Sequence, residues 1–128
     1  MTAKIAASIL IFTAVLAGCA KTSKPFPVGS ISPAETVGHL GETATVCGVV
    51  ASGMRFPKLE GEPTYMNIGK PFPDQDFTVL ILGKNAGPFD QPLMRLKGEN
   101  ICVTGLIVDG DSTPLIELVN LEQLVELN

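Results

Sequence analysis

The chain has 128 residues and a formal net charge of −4, from 9 Lys and Arg against 13 Asp and Glu. This acidic balance disfavours sequence-independent binding to nucleic acids, because such affinity comes largely from basic side chains that neutralise phosphates. The length suits one small domain that can bury about two-thirds of its unfolded surface.

Residues 1–18 are typical of a bacterial targeting segment. Lys4 supplies a positive start, residues 5–15 form an apolar run, and Leu16-Ala17-Gly18-Cys19 places small residues before a cysteine. The run is too short for a convincing membrane-spanning helix. The order Leu-Ala-Gly-Cys resembles the bacterial lipobox, which implies that Cys19 is acylated with diacylglycerol and becomes the mature amino terminus. An ordinary secretory signal cut near Ala17 is the alternative.

Two further cysteines, Cys47 and Cys102, remain once Cys19 is assigned to the anchor. Export places this even pair in an oxidising compartment, where a disulfide is the ordinary outcome. The bridge would close a long loop and contribute about 4 kcal/mol to stability. Two buried free thiols are the alternative, because a sequence does not show the geometry of the pair.

The predicted organisation after the signal peptide is a segment 19–31 followed by one domain over 32–128. Residues 20–31 contain two prolines and small polar residues without a repeating apolar face, which predicts an extended tether with no packed structure. Ser32-Pro33-Ala34-Glu35 then combines an N-cap serine, a first-turn proline and a glutamate three residues after the cap, so a short helix should begin here. Gly41 should end it.

From residue 43 onward, short β-branched runs separated by Gly and Pro predict an all-β barrel or sandwich. We expect five strands, near residues 43–52, 63–68, 76–82, 100–108 and 114–120. Gly48 and Gly105 fall inside the first and fourth strands, where a missing side chain permits the sharp bend that closes a small barrel. We expect residues 88–96 to form a short helix or an irregular crossover between strands three and four. The tail 121–127 fits either a half-turn of helix or an edge strand.

The first and fourth predicted strands share a Gly-Glu start and a glycine seven residues later, in Gly-Glu-Thr-Ala-Thr-Val-Cys-Gly and Gly-Glu-Asn-Ile-Cys-Val-Thr-Gly. If they pair antiparallel with Cys47 opposite Cys102, then Val46 lies opposite Val103. Both valines could then face the core while both sulfurs share the other face. A slip of one residue would destroy this arrangement.

Four motifs between Ser32 and Leu127 stand out, namely Pro-Ala-Glu-Thr-Val-Gly-His-Leu-Gly-Glu, Thr-Val-Cys-Gly-Val-Val, Met-Asn-Ile-Gly-Lys-Pro-Phe-Pro-Asp-Gln-Asp-Phe-Thr-Val and Ile-Cys-Val-Thr-Gly. Over this stretch the chain resembles small bacterial OB-fold domains, which occur alone in exported proteins or beside thermonuclease-like domains. The resemblance implies an all-β, five-stranded Greek-key barrel with a short N-terminal helix. It also implies nucleic-acid or oligosaccharide binding on the face of strands two and three and their flanking loops.

The resemblance places a candidate ligand-binding face on particular residues, namely Tyr65, Asn67, Phe77 and Val79, flanked by Arg55, Lys58, Lys70 and Lys84. A surface for single strands needs stacked aromatic rings over a basic groove. Here Tyr65 is the only tyrosine, tryptophan is absent, and two glutamates at positions 60 and 62 lie beside the same loop. The alternative is that Phe77 and one of Tyr65 or Met66 fill the barrel while the lysines are solubilising surface residues.

No residue pattern predicts catalysis, a metal site or a cofactor. His39 is the sole histidine and lies at the predicted helix end, where it can interact with the last carbonyls. No nucleophile-elbow motif accompanies it. Asp109-Gly110-Asp111-Ser112 resembles the opening of a calcium loop, but the twelfth position is Asn120 rather than glutamate. A tight turn between strands four and five explains this stretch better.

We therefore interpret the chain as a noncatalytic envelope lipoprotein that acts as a binding or interaction module. Its expected partners are a membrane, through the Cys19 lipid, and an unidentified protein or small ligand. Ala20 after the acylated cysteine is compatible with the outer membrane, facing the periplasm, if the host is diderm; the inner membrane is the alternative. The alternative function is a single-stranded nucleic-acid-binding OB domain accessory to an exported nuclease, which the net acidic charge disfavours.

Overall fold

The computed structural model describes residues 24–89 and 95–127, together with Ile11. The rest of the predicted signal peptide, the Cys19 anchor and residues 20–23 of the predicted tether lie outside the described residues. Within those that are described, no helix is long and apolar enough to cross a membrane.

The domain is built around one curled, barrel-like sheet. Its strands are β1 (Thr43–Arg55), β2 (Thr64–Ile68), β3 (Phe77–Ile81), β4 (Asn100–Leu106), β5 (Val108–Asp109), β6 (Pro114–Glu117) and β7 (Leu124–Glu126). Their order across the sheet is β5-β6-β3-β2-β1-β4-β7. All neighbours are antiparallel except β3 and β6, which run parallel. The predicted mostly-β fold is confirmed, but the sheet has seven strands rather than five.

The first additional strand arises because the predicted fourth strand is interrupted at Ile107. The N–H of Ile107 donates to the carbonyl of Glu42 at 2.9 Å, and its carbonyl accepts from the N–H of Gly41 at 2.7 Å. Ile107 therefore pairs with the turn before β1, and the chain resumes as β5 beside β6. Its side chain is buried in the core.

The second additional strand lies in the tail 121–127. The helical turn and the edge strand, which were alternatives for this stretch, both form, one after the other. A 3-10 helix covers Leu121–Gln123, and β7 follows and pairs antiparallel with β4. Gln123 joins this tail to the sheet, because its Nε2 donates to the carbonyl of Thr104 at 3.0 Å.

β1 is long because it belongs to both halves of the sheet. Residues 43–49 pair with β4, residues 50–55 pair with β2, and a β-bulge lies between Val50 and Ser52. The two glycines predicted to permit bending lie where another element approaches closely. A Cβ on Gly48 would be 2.8 Å from Cγ2 of Ile68, and one on Gly105 would be 2.7 Å from Cγ2 of Ile116. A side chain at either position would push strands apart.

The predicted register of β1 and β4 is confirmed. Cys47 lies opposite Cys102 and Val46 opposite Val103. Both valines belong to the main core, whereas the cysteines form a disulfide and cluster with Leu127 on the other face. The disulfide therefore links the two strands from outside the barrel interior.

The interior is filled by apolar side chains from every long strand and from the crossover after β3. The largest fully buried ones include Phe77, Phe89, Met66, Leu96 and Ile116. Burial of each such side chain contributes roughly 1.5–3 kcal/mol. After β3, 3-10 helices cover Gly83–Asn85 and Gly87–Phe89. The second overlaps the start of the predicted crossover 88–96, of which residues 90–94 lie outside the described residues.

The predicted N-terminal helix is present as a 3-10 helix over Pro33–His39. The Glu35 carboxylate accepts from the N–H of Ser32 at 2.9 Å, and Gly41 takes a φ of +83° that favours glycine. The expectation that residues 20–31 hold no packed structure is wrong at Ile31. This residue bridges to Val46 and packs against the core, because its backbone N–H and C=O bond to β1.

Candidate functional site

A pocket of about 570 Å³ opens on the outer face of the sheet. Its volume falls within the range of sites that bind small molecules. It is lined by the end of β1, by β2, β3 and β6, and by three adjoining loops. The lining residues are Ser52, Gly53, Met54, Phe56, Tyr65, Asn67, Phe72, Gln75, Thr78, Gly110, Asp111, Ser112, Thr113 and Leu115.

The bulge in β1 places Ser52 at this pocket. Val46 and Val50 face the core, so strict alternation would also point position 52 inward. The bulge shifts the register, and Ser52 instead lies opposite Asn67 of β2 on the outer face. The amide Nδ2 of Asn67 donates to the hydroxyl of Ser52 at 2.9 Å, which shows that both side chains share this face.

A strip of neutral polar side chains crosses the floor of the pocket. We call Ser52, Asn67, Thr78 and Thr113 the polar strip. The Thr78 hydroxyl donates to Oδ1 of Asn67 at 3.3 Å and lies 2.9 Å from the Thr113 hydroxyl. The tight turn between β5 and β6 supplies Thr113, and it is closed by a 3.0 Å bond from the N–H of Gly110 to the carbonyl of Thr113. The strip thus joins β1, β2 and β3 to the turn before β6 through hydrogen bonds.

Aromatic rings stand beside the polar strip. We call Phe56, Tyr65 and Phe72 the aromatic rim. The rings of Phe56 and Tyr65 meet edge to face, with centroids 5.9 Å apart. Phe72 is 71% exposed, and its backbone N–H donates to the Ser52 hydroxyl at 3.2 Å, which joins the β2–β3 loop to β1. The rim therefore presents apolar ring surface to solvent beside a polar floor.

Gln75, which also lines the pocket, carries an unsatisfied polar atom. The residue is only 8% exposed, and its Oε1 is the buried side-chain atom without a hydrogen-bond partner in the described part of the chain. Leaving a buried carbonyl oxygen unpaired costs about 1–3 kcal/mol.

The pocket is poor in charge. Asp111 is its charged lining residue, and no Lys or Arg from residues 24–89 or 95–127 lines it. Arg55, Lys58 and Lys84 are exposed elsewhere on the surface. Lys70 is also exposed and lies 3.7 Å from the carboxylate of Asp76. The basic residues of the predicted face therefore do not form a groove here.

Of the predicted face, the structure brings only Tyr65 and Asn67 to the pocket. Phe77 and Val79 are 0% exposed and fill the interior together with Met66. Their placement on the ligand-binding face is therefore wrong, and the alternative with Phe77 and Met66 in the barrel is confirmed. The outer-face residue of β3 in the pocket is Thr78, one position along. The apolar residues at 77, 79 and 81, with Thr78 between the first two, were the sequence signal that Phe77 faces inward and Thr78 outward.

The structure also places His39 and the stretch 109–112, which resembles the opening of a calcium loop. His39 lies at the end of the 3-10 helix and contacts the carboxylate of Glu42, away from the pocket. The stretch 109–112 forms the predicted turn between β5 and β6. Across the described residues, no group of three or more His, Cys, Asp and Glu side chains is placed to hold a metal ion.

No protein-family model and no curated protein matches this chain. Among solved structures, a chain from the crystal structure of yeast Stn1 and Ten1 is 12% identical over 67% of this chain, with a TM-score of 0.48. A putative aspartyl-tRNA synthetase from Leishmania major Friedlin is 9% identical over 88% of this chain, with a TM-score of 0.50. This chain spans 43% and 22% of those two chains. At such identities the likeness concerns the fold alone.

The strand pairing defines the class of domain. An antiparallel β1-β2-β3 meander, the parallel pairing of β3 with β6 and the division of β1 between β2 and β4 give an OB-like, curled sheet. The pocket lies over β2 and β3 and is flanked by the loops after β1 and β5, which is where OB folds offer a ligand surface.

Proposed function

We propose that this chain is a noncatalytic lipoprotein of the bacterial envelope whose OB-like domain binds a ligand in the outer-face pocket. The observation that supports binding is the pocket itself, because it combines the exposed Phe72 ring and two half-buried rings with a floor of neutral polar side chains. The Leu-Ala-Gly-Cys order at residues 16–19 supports the anchor. Ala20 is compatible with the outer membrane, facing the periplasm, in a diderm host, and the inner membrane is the alternative.

The finer fold assignment is also a proposal. We propose that the seven strands represent one five-stranded Greek-key barrel of the exported bacterial OB type, with one interruption and one addition. β4 and β5 are separated by Ile107 alone and together cover the fourth strand, and β7 adds to the outside of β4. β1, β2, β3 and β6 supply the other four strands.

The anchor is tested by Cys19→Ser expressed from the full-length gene. The unchanged chain should sediment with membranes and take up labelled palmitate, because a diacylglycerol group provides the two chains that stable anchoring requires. The variant should take up no label and leave the membrane fraction. Ser23→Ala is the matched control, since it alters one oxygen nearby and should leave anchoring unchanged. An unmodified Cys19 in the mass spectrum of the mature chain would contradict the anchor.

Single-stranded nucleic acid is the second candidate ligand, and the aromatic rim is the observation that favours it. The lining argues against it, because Asp111 is its charged member and the neighbouring lysines lie outside. We therefore expect no change in the fluorescence anisotropy of a labelled oligonucleotide at physiological salt. Binding that falls steeply with salt and weakens in Tyr65→Ala, Lys58→Ala and Lys70→Ala would reverse this preference.

A further inference from the structure

We propose that one particular face of the domain lies against the lipid bilayer, which rests on the proposed lipid anchor at Cys19 and adds an orientation to it. We call residues 24–31 the anchor segment. The bilayer-facing surface consists of this segment and the outer side of β7. The pocket over β2 and β3 then faces the aqueous phase.

The anchor segment is bonded to the domain at both ends. The N–H of Lys24 donates to the carbonyl of Leu127 at 2.8 Å, and the N–H of Leu127 donates to the carbonyl of Asn100 in β4 at 3.0 Å. At the other end, the N–H of Ile31 donates to the carbonyl of Thr45 in β1 at 2.9 Å. The lipid-bearing end of the chain therefore enters the domain beside the end of β7.

This attachment point lies on the outer side of the sheet. Leu127 clusters with the disulfide of Cys47 and Cys102, outside the barrel interior. Val125 lies opposite Cys102 and shares its face, because directly paired residues of neighbouring strands point to the same side of a sheet. Val125 and Leu127 therefore belong to one outer face, at the place where the anchor segment begins.

The connection to the lipid is short compared with the domain. Only the peptide from Cys19 to Lys24 separates them, and at this length its ends lie at most about 18 Å apart. A domain of about 100 residues has a radius of gyration of about 13 Å, which corresponds to a diameter of roughly 34 Å. A fully extended connection thus reaches about half of that diameter, so the face beside β7 stays close to the bilayer.

The chemistry of this face suits a lipid surface. Val28 lies in a turn and is fully exposed, and Phe26 and Val125 are each 52% exposed. Lys24 is the only charged residue of the anchor segment, although the whole chain is acidic, so the segment can approach anionic head groups. Apolar side chains beside a cation favour the boundary between head groups and acyl chains.

A single introduced tryptophan can test this orientation, because the chain contains none. Val28→Trp is made in the full-length, lipidated chain and bound to vesicles of phosphatidylethanolamine and phosphatidylglycerol, with or without bromine on the acyl chains as quencher. Its fluorescence should fall at least about twofold in the brominated vesicles, because side chains at the interface reach the acyl boundary. Leu59→Trp is the matched control. Leu59 is 54% exposed in the loop beyond the other end of β1, so its variant should not be quenched.

A longer connection tests the role of the short one without altering the domain. Insertion of about ten Gly and Ser residues between Ser23 and Lys24 gives a flexible linker, so quenching in Val28→Trp should fall by at least about half while the chain still binds the vesicles. The circular dichroism spectrum should stay the same. Unchanged quenching with the longer linker would overturn the short connection as the cause of the orientation.

Flotation of the vesicles distinguishes failure of the orientation from failure of the anchor. A folded chain that does not float with the vesicles would overturn the proposed lipoprotein. A chain that floats, but shows equal quenching in Val28→Trp and Leu59→Trp or none in either, would overturn the orientation alone. Quenching confined to Leu59→Trp would place the opposite end of β1 on the lipid and would overturn it as well.

Discussion

Replacement of Phe77 by alanine is expected to lower the free energy of unfolding by about 3–5 kcal/mol. Phe77 is 0% exposed and packs in the main core, so the smaller side chain loses transfer free energy and leaves a cavity. Domains of this kind are stable by only about 5–15 kcal/mol, so one substitution should remove a large share of the total. Urea denaturation followed by circular dichroism measures the change.

Phe72→Ala provides the matched control for this prediction. It removes the same ring from a residue that is mostly exposed, and it should change the free energy of unfolding by less than about 0.5 kcal/mol. Comparison of the two substitutions therefore distinguishes the inner from the outer face of the sheet, since Phe77 supports the fold and Phe72 is available to a ligand. Equal destabilisation by both substitutions would contradict the assignment of their faces.

Removal of the disulfide through Cys47→Ala and Cys102→Ala is expected to lower the free energy of unfolding by about 4 kcal/mol. The cysteines are 55 positions apart, so the bridge strongly restricts the unfolded chain. Both are buried with Leu127 on the face opposite the main core. The substitutions should therefore leave the barrel interior and the pocket intact while the folded state becomes less stable.

A reducing agent provides the control for the disulfide. It should destabilise the unchanged chain by a similar amount and have no effect on the double variant. Urea denaturation with and without reductant measures both quantities. If reductant left the unchanged chain as stable as before, the bridge would not form in the folded protein.

The strands were predictable because their signals are local. β-branched runs bounded by Gly and Pro located the five main segments. Placing Cys47 opposite Cys102 in an antiparallel pair gave the register that β1 and β4 adopt. The Ser32 to Gly41 helix was also predictable, since an N-cap, a first-turn acid and a stop glycine act within a few residues. The lipidation of Cys19 stays a prediction from its four-residue motif.

The interruption at Ile107 could not be read from the sequence. Its neighbours are typical of a continuous strand, and the break depends on hydrogen bonds to Gly41 and Glu42, far away along the chain. The pairing of β7 with β4 could not be read from the sequence either. Both segments contain residues that favour β-strands, but long-range packing selects the strand with which each one pairs.

The sequence by itself determined a small, acidic, mostly-β chain with one cross-strand cysteine pair, because these properties follow from composition and short-range periodicity. Only the tertiary structure decided where a ligand can bind. The bulge in β1 turns Ser52 outward, and the parallel pairing of β3 with β6 brings Thr113 to Thr78. Loop closure then adds Phe72 and Gln75. These contacts join residues with no local signal in common, so the pocket exists only once the sheet has curled.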